Sequence, residues 1–234
     1  MSANPSATPS RAAPRPRSGT PLFSKLRGVV RAQLFAEQVL IEFPIEELRK
    51  RADALNSLPP GYSAIIPSTP AHFEAWAALL NEEPSFGHWT TQRIRDELLA
   101  ELVPNAALTI WHQQRAIACA CAIRTGTASW RVATGMYLYV TPKYRRRADI
   151  AYATTYGMLY ECVKSGYDQV VATTDPSRLS ALALYLSNGS RPVRNTLIGW
   201  YRWRGILKRL GPTLAKMRER RARQAVAPSA TSSD

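Results

Sequence analysis

The sequence predicts an α/β fold of the α+β type, with a mixed central sheet and helices on both faces. Two apolar strands, Ala107 to His112 and Ala116 to Arg124, are separated only by the polar pair Gln113-Gln114, the length of a tight hairpin loop. Two further strands, Gly135 to Val140 and Gln169 to Thr173, are separated by a helical pattern, as in a crossover connection. A sheet with a hairpin and a crossover contains antiparallel and parallel pairs.

The other elements are predicted from hydrophobic period and from capping residues. Thr90 or Thr91 is a candidate N-cap for the helix that follows it, and Gly166 ends the crossover helix. In chain order these elements are a basic amphipathic helix at Leu22 to Leu40, a helix at Pro44 to Leu55, a strand at Tyr62 to Ile66, helices at Ala71 to Leu80 and Thr91 to Leu102, the crossover helix at Asp149 to Lys164, a helix at Leu179 to Leu186, and a last strand at about Thr196 to Trp203.

The length of 234 residues fits one domain with tails. The turn Pro59-Pro60-Gly61 predicts the start of the main domain. The predicted organisation is a disordered tail at 1–21, basic amphipathic helices at 22–58, the α/β domain at 59–204, and a basic helix with a tail at 205–234.

The net charge of +14 is concentrated at the two ends of the chain. Residues 1–31 hold six basic and no acidic residues, and residues 191–234 hold eleven basic and two acidic ones, whereas the part between them is nearly neutral. The basic C-terminal helix could lie on an anionic membrane or along nucleic acid, or it could dock on its own domain or on a second subunit. The N-terminus also loosely resembles an organelle transit peptide, although five prolines in its first 21 residues argue against that reading.

Three cysteines, Cys119, Cys121 and Cys162, lie in apolar segments without metal-ligand spacing, so they are interpreted as buried free thiols and no metal site is predicted. No apolar stretch approaches the ~18 residues that a spanning helix needs. These features predict a soluble protein of the cytoplasm.

The segment after Val140 is a candidate anion site. A strand ends at Val140-Thr141-Pro142, a basic loop covers 143–147, and a helix begins with the small residues Ala148 and Ala151. Backbone N–H groups at the helix start, the helix dipole and the cationic side chains would converge on a pyrophosphate. The alternative is that the basic run is only a solvated loop.

Two motifs over about 54 residues resemble the GNAT superfamily of N-acyltransferases. The first is Val140-x-Pro142-x-Tyr144-Arg145 with its basic loop and helix. The second is Thr173-Thr174-Asp175-x-x-Arg178-Leu179-x-Ala181-Leu182-x-x-Tyr185-Leu186-x-x-Gly189-x-x-Pro192. The segments 58–62 and 81–90 faintly resemble the mycothiol-synthase-like branch. The resemblance implies transfer of an acetyl or short acyl group from acyl-CoA to an amine, by a fold whose fourth and fifth predicted strands splay apart.

The resemblance also implies site residues. Backbone groups of Tyr139 and Val140 would pair with the pantetheine arm and polarise the thioester, and Tyr185 would protonate the leaving thiolate. The alternative for Tyr185 is a helix tyrosine that packs its ring under the sheet. The residues implied to bind the acetyl-CoA co-substrate are Tyr139, Val140, Arg145, Arg146, Arg147, Ala148, Asp149, Ala151 and Arg178.

The chain departs from the family pattern at several positions. Depending on register, Ile150 or Asp149 stands where the family has a small residue, and Asp149 would either repel the phosphates or turn away as a helix cap. Ser190 replaces the usual aromatic residue after Gly189.

The fourth predicted strand also lacks the usual glutamate base, for which Glu82, Glu83, His88 and Asp175 are candidates. These departures support an alternative: a weakly active or inactive binding module whose basic ends contact nucleic acid or an anionic membrane. Exposed strand edges also make a homodimer an open expectation.

Overall fold

The computed structural model describes residues 38–127, 129–194 and 196–226. Its centre is a mixed sheet of seven strands, which confirms the predicted fold class. The strands are β1 (Val39–Phe43), β2 (Tyr62–Ile65), β3 (Leu102–His112), β4 (Arg115–Arg124), β5 (Val132–Val140), β6 (Gln169–Thr174) and β7 (Arg191–Pro192). Their order across the sheet is β2-β3-β4-β5-β6-β1-β7, and only the pair of β5 with β6 is parallel.

Six α-helices accompany the sheet in the described ranges. They are α1 (Ile45–Arg49), α2 (Pro70–Asn81), α3 (Thr91–Arg93), α4 (Ala148–Lys164), α5 (Leu179–Ser187) and α6 (Leu197–Val226). A π-helical turn (Ile94–Leu99) continues α3, and 3-10 turns lie at Ala54–Ser57, Pro84–Phe86 and Pro142–Tyr144. Thr90 caps α3 by accepting a hydrogen bond from the N–H of Arg93 at 3.1 Å, so the first of the two predicted caps is the one used.

The β3–β4 hairpin forms as predicted because the chain supplies both apolar strands and a polar two-residue loop. Gln113 and Gln114 both have positive φ, 50° and 62°, which is the backbone of a tight hairpin turn that matches the strand twist. The run of β4 is apolar on both sides because both sides are covered. The hairpin is therefore a rigid support for the neighbouring strand β5.

Helices cover both faces of the sheet, and each face has its own buried cluster. The larger cluster contains residues of α1, α4, α5 and α6, with Ile150, Leu182 and Trp203 among its members. The smaller cluster joins α2 and the π-helical turn to the other face, through Trp76 and Ile94 among others. Cys119, Cys121 and Cys162 are free and buried, as predicted.

β5 leaves β6 and then carries a bulge. Opposite β4, Cys119 pairs with Tyr139 but Cys121 pairs with Met136, so β5 contains one extra residue there, and Tyr137 has φ of 53°. The parallel pairing with β6 ends at Gly135, although β5 continues to Val140. The predicted splay of the fourth and fifth strands, which are β5 and β6 in the structure, is thus present.

Two predictions at the ends of the described chain are wrong. The last predicted strand, Thr196 to Trp203, is the first part of α6, because Trp203, Ile206 and Leu210 at helical spacing are buried against the domain. Val39 and Leu40, predicted as the end of a helix, belong to β1, which lies between β6 and β7. The rest of that predicted helix lies outside the described residues.

The sheet and the last helix extend beyond the predicted limits of the main domain. β1 comes before the boundary predicted at residue 59 and still belongs to the sheet, and α6 passes through the boundary predicted at 204 without a break. Within the described ranges, no helix combines the length and the apolar character needed to cross a membrane.

Candidate active site

The loop after β5 folds back onto the end of its own strand. Arg145 donates from Nε to the carbonyl oxygen of Val140 at 3.0 Å, and its guanidinium lies 5.3 Å from the centre of the Tyr139 ring. Three of the predicted co-substrate residues therefore meet at the point where β5 has separated from β6. The carbonyl of Val140 is already bonded, so a pantetheine arm would have to compete with Arg145 for that oxygen.

Asp149 lies in the first turn of α4 rather than at its N-cap, which is Arg147. Its carboxylate accepts hydrogen bonds from Arg147 at 3.1 Å and from the N–H of Ile150 at 3.0 Å. Arg147 thus neutralises the charge of Asp149. Asp149 in turn occupies the N–H of Ile150, which a bound anion would otherwise use. The N-cap alternative for Asp149 is wrong, and the carboxylate stays at the helix start.

The other predicted loop residues lie around this turn. Arg147 also stacks its guanidinium 5.2 Å from the centre of the Tyr62 ring, at the sheet edge. Arg146 and Ala148 are exposed, whereas Ala151 is half-buried against the larger core cluster. Side chains of this loop are therefore divided between solvent, the sheet edge and the end of β5.

Glu83 joins the two motifs that the sequence analysis separated. Its carboxylate lies 3.2 Å from Arg178, the N-cap of α5, and 3.8 Å from Arg145 in the loop after β5. The carboxylate of Glu83 therefore links the loop after β5 to the start of α5, the helix that follows β6. Two cations predicted to bind phosphate are therefore brought together around one anion.

The ionised form of Glu83 is favoured in this position. Burial by itself would raise the pKa of Glu83, but a hydrogen bond from Ser85 at 2.8 Å lowers it. The charges of Arg178 and Arg145 act in the same direction, and the net pKa lies below its usual value. Glu83 consequently behaves as a resident counter-ion of the two arginines rather than as a poised general base.

Glu82, the neighbouring candidate base, contacts the end of β5. Tyr139 donates its hydroxyl to Glu82 at 3.0 Å, and Arg115 lies 3.4 Å from the other carboxylate oxygen. Burial and this hydrogen bond raise the pKa of Tyr139. Glu82 and Glu83 thus extend from the C-terminal end of α2 over the final residues of β5.

Tyr185 lies on α5 and is 6% exposed. Its ring packs edge-on against Phe43 of β1, with 5.3 Å between ring centres, and its backbone carbonyl accepts a hydrogen bond from Tyr156. Burial raises the pKa of the Tyr185 phenol, although Arg178 opposes that shift. The ring belongs to the larger core cluster, and the raised pKa makes this phenol a weaker acid than a solvated one.

A pair that sequence reasoning missed lies at the strand end beside the loop. His112 shares a hydrogen bond of 3.0 Å with the hydroxyl of Tyr144 and stacks on Tyr62 with ring centres 4.2 Å apart. His112 and Tyr144 line a surface cavity of about 390 Å³, together with Glu82 and Lys143. No local sequence motif identifies His112, because its partners are Tyr62 of β2 and Tyr144 in the loop after β5.

The remaining candidate bases have structural roles. Asp175 accepts a hydrogen bond from the N–H of Ser177 at 2.6 Å, and hydrogen bonds from the Ser177 side chain and backbone lower the pKa of Asp175. The carbonyl of His88 accepts a hydrogen bond from Arg93 at 2.6 Å. These contacts hold a turn before α5 and the start of α3, respectively.

No family model matches this sequence, and no curated protein matches it. Among solved structures, an aminoglycoside N-acetyltransferase in complex with CoA is similar at 18% identity, with a TM-score of 0.47, over 60% of this chain and 95% of that one. Glucosamine-6-phosphate N-acetyltransferase from Arabidopsis thaliana is similar at 9% identity, with a TM-score of 0.46, over 58% and 95% of the two chains.

A GCN5-related N-acetyltransferase from Kribbella flavida is similar at 15% identity, with a TM-score of 0.46, over 70% of this chain and 60% of that one. These proteins are N-acetyltransferases, the class that the two sequence motifs resemble. At such identities and scores the likeness is one of partial architecture, and it assigns neither an activity nor an acceptor to this chain.

Proposed function

We propose that the protein is an N-acyltransferase that moves an acetyl or other short acyl group from acyl-CoA to an amine. The observation that carries this proposal is the end of β5, which separates from β6 after Gly135, carries a bulge and contacts Arg145, while Glu83 holds Arg145 and Arg178 together. An opened strand end offers backbone groups to an extended arm, and a pair of arginines suits a diphosphate. Acyl-CoA carries both of these groups.

In this proposal the backbone of Tyr139 and Val140 holds the arm and polarises the thioester carbonyl. The amine nitrogen attacks the carbonyl carbon, the carbon–sulfur bond breaks, and the thiolate takes a proton from Tyr185. The proton lost by the amine passes to water or to a carboxylate. The loop residues Arg146, Arg147, Ala148, Asp149 and Ala151 remain proposed contacts of the phosphates.

Titration calorimetry with acetyl-CoA and with CoA tests the first step. We expect saturable binding of both ligands, because they share the diphosphate and the pantetheine arm. Acceptors are then sought with an amine panel, in which release of free CoA thiol reports transfer. Absence of binding at millimolar ligand would remove the enzymatic proposal.

Glu83→Gln is expected to tighten binding of acetyl-CoA about tenfold, because it removes a negative charge that holds Arg145 and Arg178. Glu82→Gln is the matched control. It makes the same change of charge one residue away, at a carboxylate bonded to Tyr139 and Arg115, and it should alter affinity much less. Calorimetry measures both variants, and equal or weaker binding by Glu83→Gln contradicts the proposed competition.

The acceptor, the location and the partners of the protein are not part of this proposal. The amine acceptor is open, and the cytoplasmic location and the homodimer remain predictions from the sequence. Contact of the basic ends with an anionic surface is also a prediction. Helix α6, in the C-terminal basic end, is among the described residues.

A further inference from the structure

One face of α6 is already occupied by the domain itself. Trp203, Ile206 and Leu210 are each 1% exposed and belong to the larger core cluster. Leu214 and Met217 continue this apolar stripe and are half-buried. Docking on its own domain, one of the four options left open by the sequence, is therefore the arrangement of this helix.

The solvent-facing surface of the helix carries cations and two exposed aromatic rings. We call it the α6 outer face and define it as Trp200, Tyr201, Arg204, Lys208 and Lys216, all of them exposed. The whole helix has nine basic residues and one acidic residue, so its outer side is strongly positive. The face extends about 24 Å along the helix axis.

The aromatic rings lie among these cations. Trp200 and Tyr201 are 41% and 62% exposed, which is unusual for large rings at the surface of a folded domain. The guanidinium of Arg204 lies 5.5 Å from the centre of the Trp200 ring. An exposed ring beside a cation offers a base-stacking surface next to a phosphate contact.

From these contacts we propose that the α6 outer face binds single-stranded nucleic acid. Arg204 and Lys208, one helical turn apart, would contact neighbouring phosphates and Lys216 a more distant one, while Trp200 and Tyr201 would stack on bases. An anionic membrane fits less well, because a helix that lies in a membrane surface must insert its apolar face into the lipid. In α6 that face is buried in the domain. The proposal does not depend on acyl transfer.

Fluorescence anisotropy of the full chain with a labelled oligothymidylate of about 20 nucleotides tests this proposal. The dependence of Kd on salt reports the number of phosphates contacted. We expect the double variant Arg204→Gln, Lys208→Gln to reduce the slope of log Kd against log salt by about 1.4. Trp200→Ala should raise Kd by roughly 5- to 100-fold through the loss of stacking.

A charge-matched control separates this face from general attraction. The double variant Arg49→Gln, Arg95→Gln removes two exposed cations elsewhere and should change the slope far less. Equal effects of the two double variants would overturn the assignment to α6. Binding to phosphatidylserine vesicles without binding to the oligonucleotide would overturn it in favour of a membrane partner.

Discussion

Tyr185→Phe is expected to lower kcat for acyl transfer by roughly 10²- to 10⁴-fold, the usual contribution of a positioned proton donor. Affinity for acetyl-CoA should stay nearly unchanged, because the hydroxyl is needed only when the carbon–sulfur bond breaks. The measurement is thiol release under saturating substrate, with an acceptor found by the amine panel, combined with calorimetry of acetyl-CoA. A matching loss of affinity would indicate a binding role instead.

Tyr167→Phe is the control for this experiment. Tyr167 is also 6% exposed, but it contacts Arg131, near the start of β5, rather than its C-terminal end. Removal of its hydroxyl should leave kcat within a factor of about two to three if only the site hydroxyl matters. Unchanged turnover in Tyr185→Phe would exclude Tyr185 as the proton donor.

Trp203→Ala is expected to lower the free energy of unfolding by about 3–5 kcal/mol, which is a large part of the ~5–15 kcal/mol typical of a domain. Trp203 is among the largest fully buried side chains and carries the docking of α6. Its removal deletes that contact and leaves a cavity. Chemical denaturation, followed by fluorescence or circular dichroism, measures the change.

Trp200→Ala provides the comparison, because Trp200 lies one turn earlier on the same helix and is 41% exposed. Its unfolding free energy should stay within about 0.5 kcal/mol of the original. If both variants lost similar stability, burial of Trp203 could not be the cause. If neither did, α6 would not be docked as described.

Regular strands and the motif loop could be predicted because their signals are local. The continuous apolar run of β4, the polar Gln113-Gln114 turn and the Thr90 cap each predict structure from adjacent residues. The segment from Val140 to Ala151 combined a strand end, a basic loop and a helix start in one stretch of chain. Such features need little knowledge of the rest of the fold.

Elements whose partners are distant were predicted less well. Val39, Ile41 and Phe43 alternate as a strand does, but the leucines before them suggested one longer helix. The alternating aromatic and basic residues of 200–204 suggested a strand, whereas burial of Ile206 and Leu210 selects the helix. Tertiary packing decided both cases over local pattern.

The Glu83 bridge could not have been predicted from a motif. Glu83 follows α2, whereas Arg145 and Arg178 lie in loops more distant along the chain, and only the folded sheet brings the three together. The identities of the two arginines were available from the sequence. Their shared counter-ion was not.

The position of β1 has a consequence for synthesis on the ribosome. Val39 pairs with Thr174, roughly 135 residues later, and Ile41 pairs with Pro192, so the first strand of the described residues is among the last to find its neighbours. At translation rates of about 5–20 residues per second, the nascent β1 waits on the order of ten seconds. Until then both edges of β1 are unpaired, and an unpaired strand edge is open to pairing with other chains.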